Sequence, residues 1–405
     1  MFNYQNPTRA EREQIIAATA SLFKQRFYEP KLNGFDLDGE IQKQMSSLLE
    51  TSQFPGAMKD FFRGCGARPI DFFHESERRV ALGKLLKATF YTSEQGEHAF
   101  QDVLIGGRAE EAGIAPGDVL ASVNNQPPRE SLDVLASEPF RFLVRRLDGT
   151  TKAFDFPAPL TWRPRKEKNI AFRDLGDGVG YVRIAMWPGI LGMDVAKETD
   201  EAIKKLKAKR LLVDLRGNLG SAGAGNLRLM SYLTPKKIPV GYSLTRKRAE
   251  AGYDRDDLAR LERIPRSKLE APFVLWRFRK VDKSIVVVTE GLKPQAFHGN
   301  VTLLVNSHTF SGAEIVVQFA KEHGLARIVG ERTAGRSLSF ATLQVPFDFR
   351  LTLPIGDYVP WRGERFEDCG VAPDTKIPFR LPKSAGQDLQ LSDATNICNS
   401  SAAGA

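Results

Sequence analysis

Ser311 lies in the stretch "NSHTFSGAEI", directly after the apolar run "VTLLV" and at the mouth of a helical pattern. A hydroxyl at that junction has two readings. Ser311-Gly312-Ala313-Glu314 fits the S-x-x-E capping box, in which the serine does no more than bond an amide of the first helical turn. The same position places the hydroxyl beside unpaired helix amides, where the dipole and the backbone stabilise a developing oxyanion. The chemistry served would then be nucleophilic acyl transfer.

A second element is "LLVDLRGNLGSAGAG", residues 211–225. Its apolar run ends in Asp214 and Arg216, and Gly217, Gly220, Gly223 and Gly225 follow. Such a loop offers free backbone N–H groups at the end of a strand. It does not read as a nucleotide site, because neither G-x-G-x-x-G nor G-x-x-x-x-G-K-[ST] is present. Of the five histidines, His308 sits three residues before Ser311 and His74 lies among aromatics in "PIDFFHESE". His98 and His298 read as surface loop residues and His323 as a cation at a helix C-terminus. The three cysteines, Cys65, Cys369 and Cys398, suit neither a disulfide framework nor a zinc site. No metal and no organic cofactor is implied.

The elements that must position these residues follow from periodicity. "RAEREQIIAATASLFKQRFYEP" has apolar residues at helical spacing, and two more helices fit "DLDGEIQKQMSSLLETS" and "PGAMKDFFRG", giving a helical region over 1–80. Short β-rich pieces fill 81–160. From 161 to 382, strands such as "GVGYVRIAMW", "RLLVDLRG" and "VTLLVNS" alternate with helices such as "DVAKETDEAIKKLKAK" and "GAEIVVQFAKEHG". Alternation of this kind predicts an α/β domain with a mostly parallel sheet covered by helices, its ligand groups at the strand C-termini. The tail 383–405, ending "CNSSAAGA", reads as disordered.

The composition, 42% hydrophobic and 26% charged, is that of a folded globular protein. The net charge of +9 raises the question of an anionic partner. Between Lys236 and Lys283, however, fourteen Lys/Arg face seven Asp/Glu, so 14 − 7 = 7 of the excess charges fall in one mixed-sign segment that reads as a solvated insertion or lid. No base-stacking or groove-reading motif accompanies it, and no nucleic acid is expected. There is no membrane-length apolar run, and "MFNYQNPTRAEREQII" lacks an export signal's apolar core. The chain as written reads as cytoplasmic, or as periplasmic or secreted if a signal has been removed. No motif encodes the oligomeric state, and an oligomer stays open.

"VLIGGRAEEAGIAPGDVLASVNNQPP" resembles a PDZ domain through its A-x-x-A-G-I-x-x-G-D pattern. The resemblance implies a module that adds an extended peptide to a sheet edge. It puts the carboxylate-binding loop at "RVALGKLL", with Leu82, Gly83, Lys84 and Leu85 as peptide-binding residues. The ordered set of a helical segment, PDZ module, "GYVRI", "VDLRGNLG", "VNSHTFSGAE", "IVGERTAGR" and "FEDCGVAPD" resembles the carboxyl-terminal processing (tail-specific) serine protease family, nearer its tricorn-core and retinoid-binding-protein-like branch.

That resemblance implies a serine peptidase acting on unfolded or C-terminal peptide segments, with Ser311 as nucleophile and the amides of Gly312 and Gly220 as oxyanion hole. It also exposes departures. In one branch a lysine in T-x-G-K is the general base; here Arg336 stands there, permanently protonated, and Phe340 replaces a glutamine. In the tricorn-like branch a histidine is the base, supported by a second serine and a glutamate. His74 is the candidate histidine, although the local match fits Ile70 equally, and Glu367 is the glutamate. The alternative reading is a catalytically inactive homologue that binds peptides or apolar ligands as a scaffold.

Overall fold

The computed structural model describes residues 6–400 apart from 163–166, 189–191, 221–223, 266, 268, 282–283, 293–296, 298 and 385. The run "VTLLV" lies in the strand Asn300–Val305, which is buried at every position after the first. Continuous burial of this kind marks a strand covered on both faces. It is an inner strand of a six-stranded sheet ordered Thr375–Lys376, Arg327–Gly330, Asn300–Val305, Arg210–Asp214, Val179–Ile184 and Ile170–Asp174. Every neighbouring pair is parallel except the last, which is antiparallel. The α/β fold class expected from alternation is therefore the one observed.

Successive side chains on these strands point to opposite faces. Val182, Val213, Leu303 and Val305 enter a core shared with Met193–Leu206, Ala224–Leu233 and Gly312–Glu322. Tyr181, Leu212 and Leu304 enter a second core, closed by Leu391, Ala394 and Cys398. Those three residues belong to the helix Leu389–Ser400. The tail expected to be disordered is thus a packed helix over most of its length. Its apolar stripe at i, i+3 and i+7 is too short to stand out in a polar composition, and the sheet face it covers gives it stability.

A buried ion cluster pins that helix. Arg216 donates to both oxygens of Asp214, through Nε at 3.0 Å and Nη2 at 2.7 Å, and reaches Asp388 from Nη1 and Nη2 at 2.9 and 2.6 Å. Tyr181 Oη donates to Asp214 at 2.9 Å. Burial alone would raise the Asp214 carboxyl, but the Arg216 and Arg183 charges outweigh it and hold the pKa at about 2.

A second sheet lies beside the first. Its long strand Phe349–Pro360 pairs with Asp71–His74, Ser339–Gln344 and Pro239–Thr245. The helices Arg9–Arg26, Leu37–Glu50 and Phe54–Arg63 share one core with it, through Phe23, Phe54 and Phe62 against Phe349, Leu351 and Leu353. The basic segment read as a solvated insertion also contributes here. Pro239–Thr245 and Ala259–Leu261 are strands of this sheet, with Val240, Tyr242 and Leu258 buried. Charged neighbours had masked their short alternation.

The β-rich region forms a separate five-stranded antiparallel sheet ordered Ala88–Thr92, His98–Val103, Val119–Val123, Phe140–Arg145 and Thr151–Phe156. Phe100, Leu120 and Phe142 fill its core. His98 is not a surface loop residue; it is buried in the second of these strands, with Nδ1 3.0 Å from Thr92 Oγ1. His298 lies outside the described residues.

Asp214→Asn should destabilise the protein by about 3–5 kcal/mol, because it removes a partner of a buried cation. The sign with pH follows from the lowered carboxyl. The Asp214 contribution is fully present above pH 3.8 and is lost as pH falls towards about 2. Urea unfolding across that window should show a shallower acid decline in the variant than in the wild type.

Candidate active site

The strands Arg210–Asp214 and Asn300–Val305 run in parallel, with Asp214 opposite Leu304, so the segments that leave them emerge side by side. One segment carries the glycine loop and the other carries Ser311. Their approach is close enough to require glycine. At Gly220, φ is +73°, and a Cβ there would fall 2.7 Å from Ser311 Cβ and 2.9 Å from the Phe310 carbonyl oxygen.

Ser311 has φ +56° and ψ −121°, not the extended backbone of an ordinary N-cap. A non-glycine residue in this region is strained, and strain at a strand-to-helix turn is the geometry that exposes a nucleophilic hydroxyl. Ser311 still forms the expected capping box, with Glu314 as its partner. Its fully buried carboxylate accepts from the Ser311 amide at 3.0 Å, Thr333 Oγ1 at 2.6 Å, the Gly335 amide at 2.6 Å and the Arg336 amide at 2.8 Å. Burial raises its pKa, and the donors oppose that rise. The Gly312 amide is the first of the helix and has no acceptor among the described residues.

The glycine loop differs from expectation in one respect. The Gly220 N–H donates to Asn218 Oδ1 at 2.8 Å and is not aimed at the serine. The amides of Gly217, Asn218 and Leu219 are likewise taken, by Asn306 Oδ1, the Leu215 carbonyl and the Ala185 carbonyl. Gly220 supplies the close approach, and Gly312 supplies the available donor.

His74 ends the strand Asp71–His74 of the second sheet. It pairs with Phe349 in the second sheet, its Nδ1 lies 2.7 Å from Ser76 Oγ, and its ring packs edge-on against Phe349. The loop bearing Arg336 leads into Ser339, which pairs with Gly356 farther along the same long strand. The seven strand steps from Phe349 to Gly356 span about 23 Å. Ile70, the other residue that fits the histidine position, is buried in the helical core.

Glu367 does reach the loop beside the serine. It accepts from the Ser337 amide, Ser337 Oγ at 2.9 Å and the Leu338 amide at 3.1 Å, while its Oε1 is buried without a partner among the described residues. Arg336 points elsewhere, with Nη1 3.4 Å from Asp368 Oδ1 at the surface. Phe340 is exposed.

His308 makes a contact that sequence reasoning left open. Its Nε2 lies 3.0 Å from the Phe90 carbonyl oxygen on the edge strand of the five-stranded sheet. Beside it, Asn306 Oδ1 accepts from the Gly217 and His308 amides at 3.0 and 3.1 Å, and Asn306 Nδ2 donates to buried Asp102 at 2.8 Å. Asp102 also accepts from Thr89 Oγ1 at 2.6 Å and Arg183 Nη2 at 3.1 Å. The Ser311 turn is therefore tied to the β-rich region by a buried carboxylate 204 residues away in sequence, a link no local pattern announces.

The residues Leu82, Gly83, Lys84 and Leu85 do not form an open loop. They lie in the helix Leu82–Leu86, where Leu82 and Leu86 are wholly buried one turn apart and Gly83 backs onto the Ala88 carbonyl. Lys84 is exposed. The apolar i, i+4 pair is used as core, which removes Leu82 from any ligand surface.

An α/β sheet with a strained serine at a strand-to-helix turn, facing a glycine loop, defines a serine-hydrolase class of site. Residues 178–377, just under half of the chain, match peptidase family S41. The carboxyl-terminal-processing protease of Picosynechococcus sp. is 21% identical over 287 residues, covering 68% of this chain and 59% of that relative. Among solved structures, the photosystem II D1 C-terminal processing protease superposes with a TM-score of 0.57 at 14% identity, over 92% of this chain and 95% of its own. Mature CPAF complexed with lactacystin does so with a TM-score of 0.57 at 17% identity, over 97% of each chain. At these identities the structural likeness establishes the fold. Among the described residues no cluster of His, Cys, Asp or Glu could hold a metal, and no helix is long and apolar enough to cross a membrane.

Gly220→Ala should cost about 1–3 kcal/mol from backbone strain alone. Because the new methyl would press on Ser311, it should also slow reaction of that hydroxyl with a fluorophosphonate probe more than it lowers Tm. A thermal melt and a labelling time course on the same sample separate the two effects.

Proposed function

We propose that this chain is a serine-type peptidase that cleaves unfolded or C-terminal peptide segments by acyl transfer at Ser311. The observation that carries the reading is the strained Ser311 backbone beside the Gly312 amide, which has no acceptor among the described residues. Ser311 Oγ would add to the scissile carbonyl as its proton passes to a base. The resulting oxyanion would be held by the Gly312 N–H, and the C–N bond would break as the leaving amine takes up a proton. Hydrolysis of the acyl-serine would return the hydroxyl. Glu367, with one buried oxygen lacking a described partner, would orient the group that serves as base.

Delivery would fall to the five-stranded domain acting as a PDZ module. Its edge strand Ala88–Thr92 faces the nucleophile turn through the Phe90–His308 contact, and an extended peptide adding to that edge would lie close to Ser311. The peptide pocket would be built around this edge and Lys84, not around Leu82.

A second reading, a peptide-binding scaffold without turnover, is favoured by two observations. His74 pairs with Phe349 in the second sheet, and the lysine position holds an arginine committed to Asp368.

A fluorophosphonate probe should label the wild type and fail on Ser311→Ala; absent labelling, or labelling that persists in the alanine variant, sinks the peptidase reading. Arg336→Lys supplies an amine that can lose its proton, so labelling should rise by about 10²-fold as pH approaches the amine's range. A flat response would mean that position 336 does not face the hydroxyl. Peptides with a free C-terminal carboxylate should bind more tightly than their amidated forms if the PDZ assignment holds, and equal affinity in a fluorescence-anisotropy titration would refute it.

A further inference from the structure

The helix Ala271–Lys280 leaves large apolar side chains exposed. A helix lying on a sheet normally buries its apolar stripe and gives its outer face to polar residues. Here Val274, Phe278 and Val281 line an apolar groove of about 320 Å³ against Ala259, Leu261 and Ile285, and Phe273, Trp276, Arg277 and Lys280 line the same groove. These last four, at i, i+3, i+4 and i+7, form an exposed stripe. Phe273 is 60% exposed and Trp276 is 49% exposed, and just before the helix Leu269 is 90% exposed. The two rings stack with centroids 5.8 Å apart, and Lys280 Nζ sits 3.9 Å over the indole.

The charge around this stripe is available for a partner. Glu270 is taken by Arg263 at 3.2 Å and Glu262 by Lys237 at 2.7 Å. Arg277, Arg279 and Lys280 are exposed, and none forms an ion pair with a described carboxylate. They belong to the segment Lys236–Lys283, which holds seven of the nine excess positive charges. Neither the Ser311 chemistry nor the β-rich domain uses them.

We infer that this face is a membrane-surface contact: Leu269, Phe273 and Trp276 enter the headgroup boundary of an anionic bilayer while Arg277, Arg279 and Lys280 meet its phosphates. Aromatic and aliphatic side chains beside cations on one short helix are the composition of an interfacial anchor. A bilayer suits the size of the patch better than a protein partner does. Ten residues of helix extend about 15 Å, whereas a stable protein interface needs about 800 Å² on each side. Shallow insertion of three apolar side chains needs no such area, and anionic headgroups add attraction for each cation near the surface. The contact would lie on the second sheet's side of the molecule, where Ala259–Leu261 and Ile285–Val288 pair, and would hold the protease domain at a surface without spanning it.

The test is co-flotation of the full chain with vesicles of phosphatidylcholine alone and of phosphatidylcholine mixed with phosphatidylglycerol. Binding is expected on the mixed vesicles only, weakening as salt is raised. Tryptophan emission should shift to the blue on binding, and the shift should vanish in Trp276→Phe while binding stays. Arg279→Gln should weaken binding about fivefold, and the combined Arg277→Gln, Arg279→Gln and Lys280→Gln variant about a hundredfold. All are exposed positions, so an unchanged Tm separates lost contact from lost fold. Equal binding to both vesicle types, no flotation, or full binding by the triple variant would overturn the inference. So would tighter binding to poly-glutamate than to the anionic vesicles, which would identify an acidic polypeptide as the occupant. Probe labelling of Ser311 stands apart from every one of these outcomes.

Discussion

The buried carboxylate of Glu314 is the interaction on which the arrangement around Ser311 depends. It takes four donors from two separate segments: the Ser311 amide at the start of its own helix, and Thr333, Gly335 and Arg336 from the loop after Arg327–Gly330. A charge buried this deeply is tolerable only when its lone pairs are filled, and each donor is in turn a buried group that would be costly to leave unpaired. The carboxylate therefore fixes the serine backbone in its strained conformation and sets the loop that carries Arg336 at the same time. Glu367 extends the clamp by one step, through the Ser337 and Leu338 amides.

Two further buried carboxylates do the same work at longer range. Asp102 joins the five-stranded sheet to Asn306, whose side-chain oxygen receives the Gly217 and His308 amides. Asp214 binds Arg216, which reaches Asp388 at the entry to the C-terminal helix. The β-rich region, the strand ends and the tail are thus connected through polar groups at the C-terminal edge of the parallel sheet, the edge where ligand groups gather in open α/β sheets. Apolar packing builds the layers, and these hydrogen-bonded charges fix how the layers' loops meet. Buried networks of this kind are costly when half satisfied and specific when complete.

The departures at Ser311 have a physical consequence. A nucleophile needs a hydroxyl, an electrophilic cradle and a proton acceptor. The first is presented by the strand-to-helix turn, and the second begins with the Gly312 amide. The third is the group that His74 was the candidate to provide; His74 lies beside Ser76 and Phe349, and Arg336, at the lysine position, stays protonated and reaches Asp368. Proton transfer is the step most sensitive to distance, so this element separates a turning-over peptidase from a peptide-binding relative with the same frame.

Periodicity and local chemistry were sufficient for several features. The run "VTLLV" is an inner strand, the alternation yields a mostly parallel sheet, and the order of short motifs marks the peptidase family. The S-x-x-E spacing at Ser311 correctly placed Glu314 against the serine amide. Each of these rests on residues close in sequence, where spacing maps directly onto geometry. The direction of a shared hydrogen bond did not. Gly220 gives its amide to Asn218, only two residues away, whereas that Leu82 serves a core, that Leu389–Ser400 folds onto a sheet face and that His74 pairs with Phe349 were decided by partners farther along the chain. Burial decides which of two chemically equal roles a side chain takes, and burial exists only once the layers have packed.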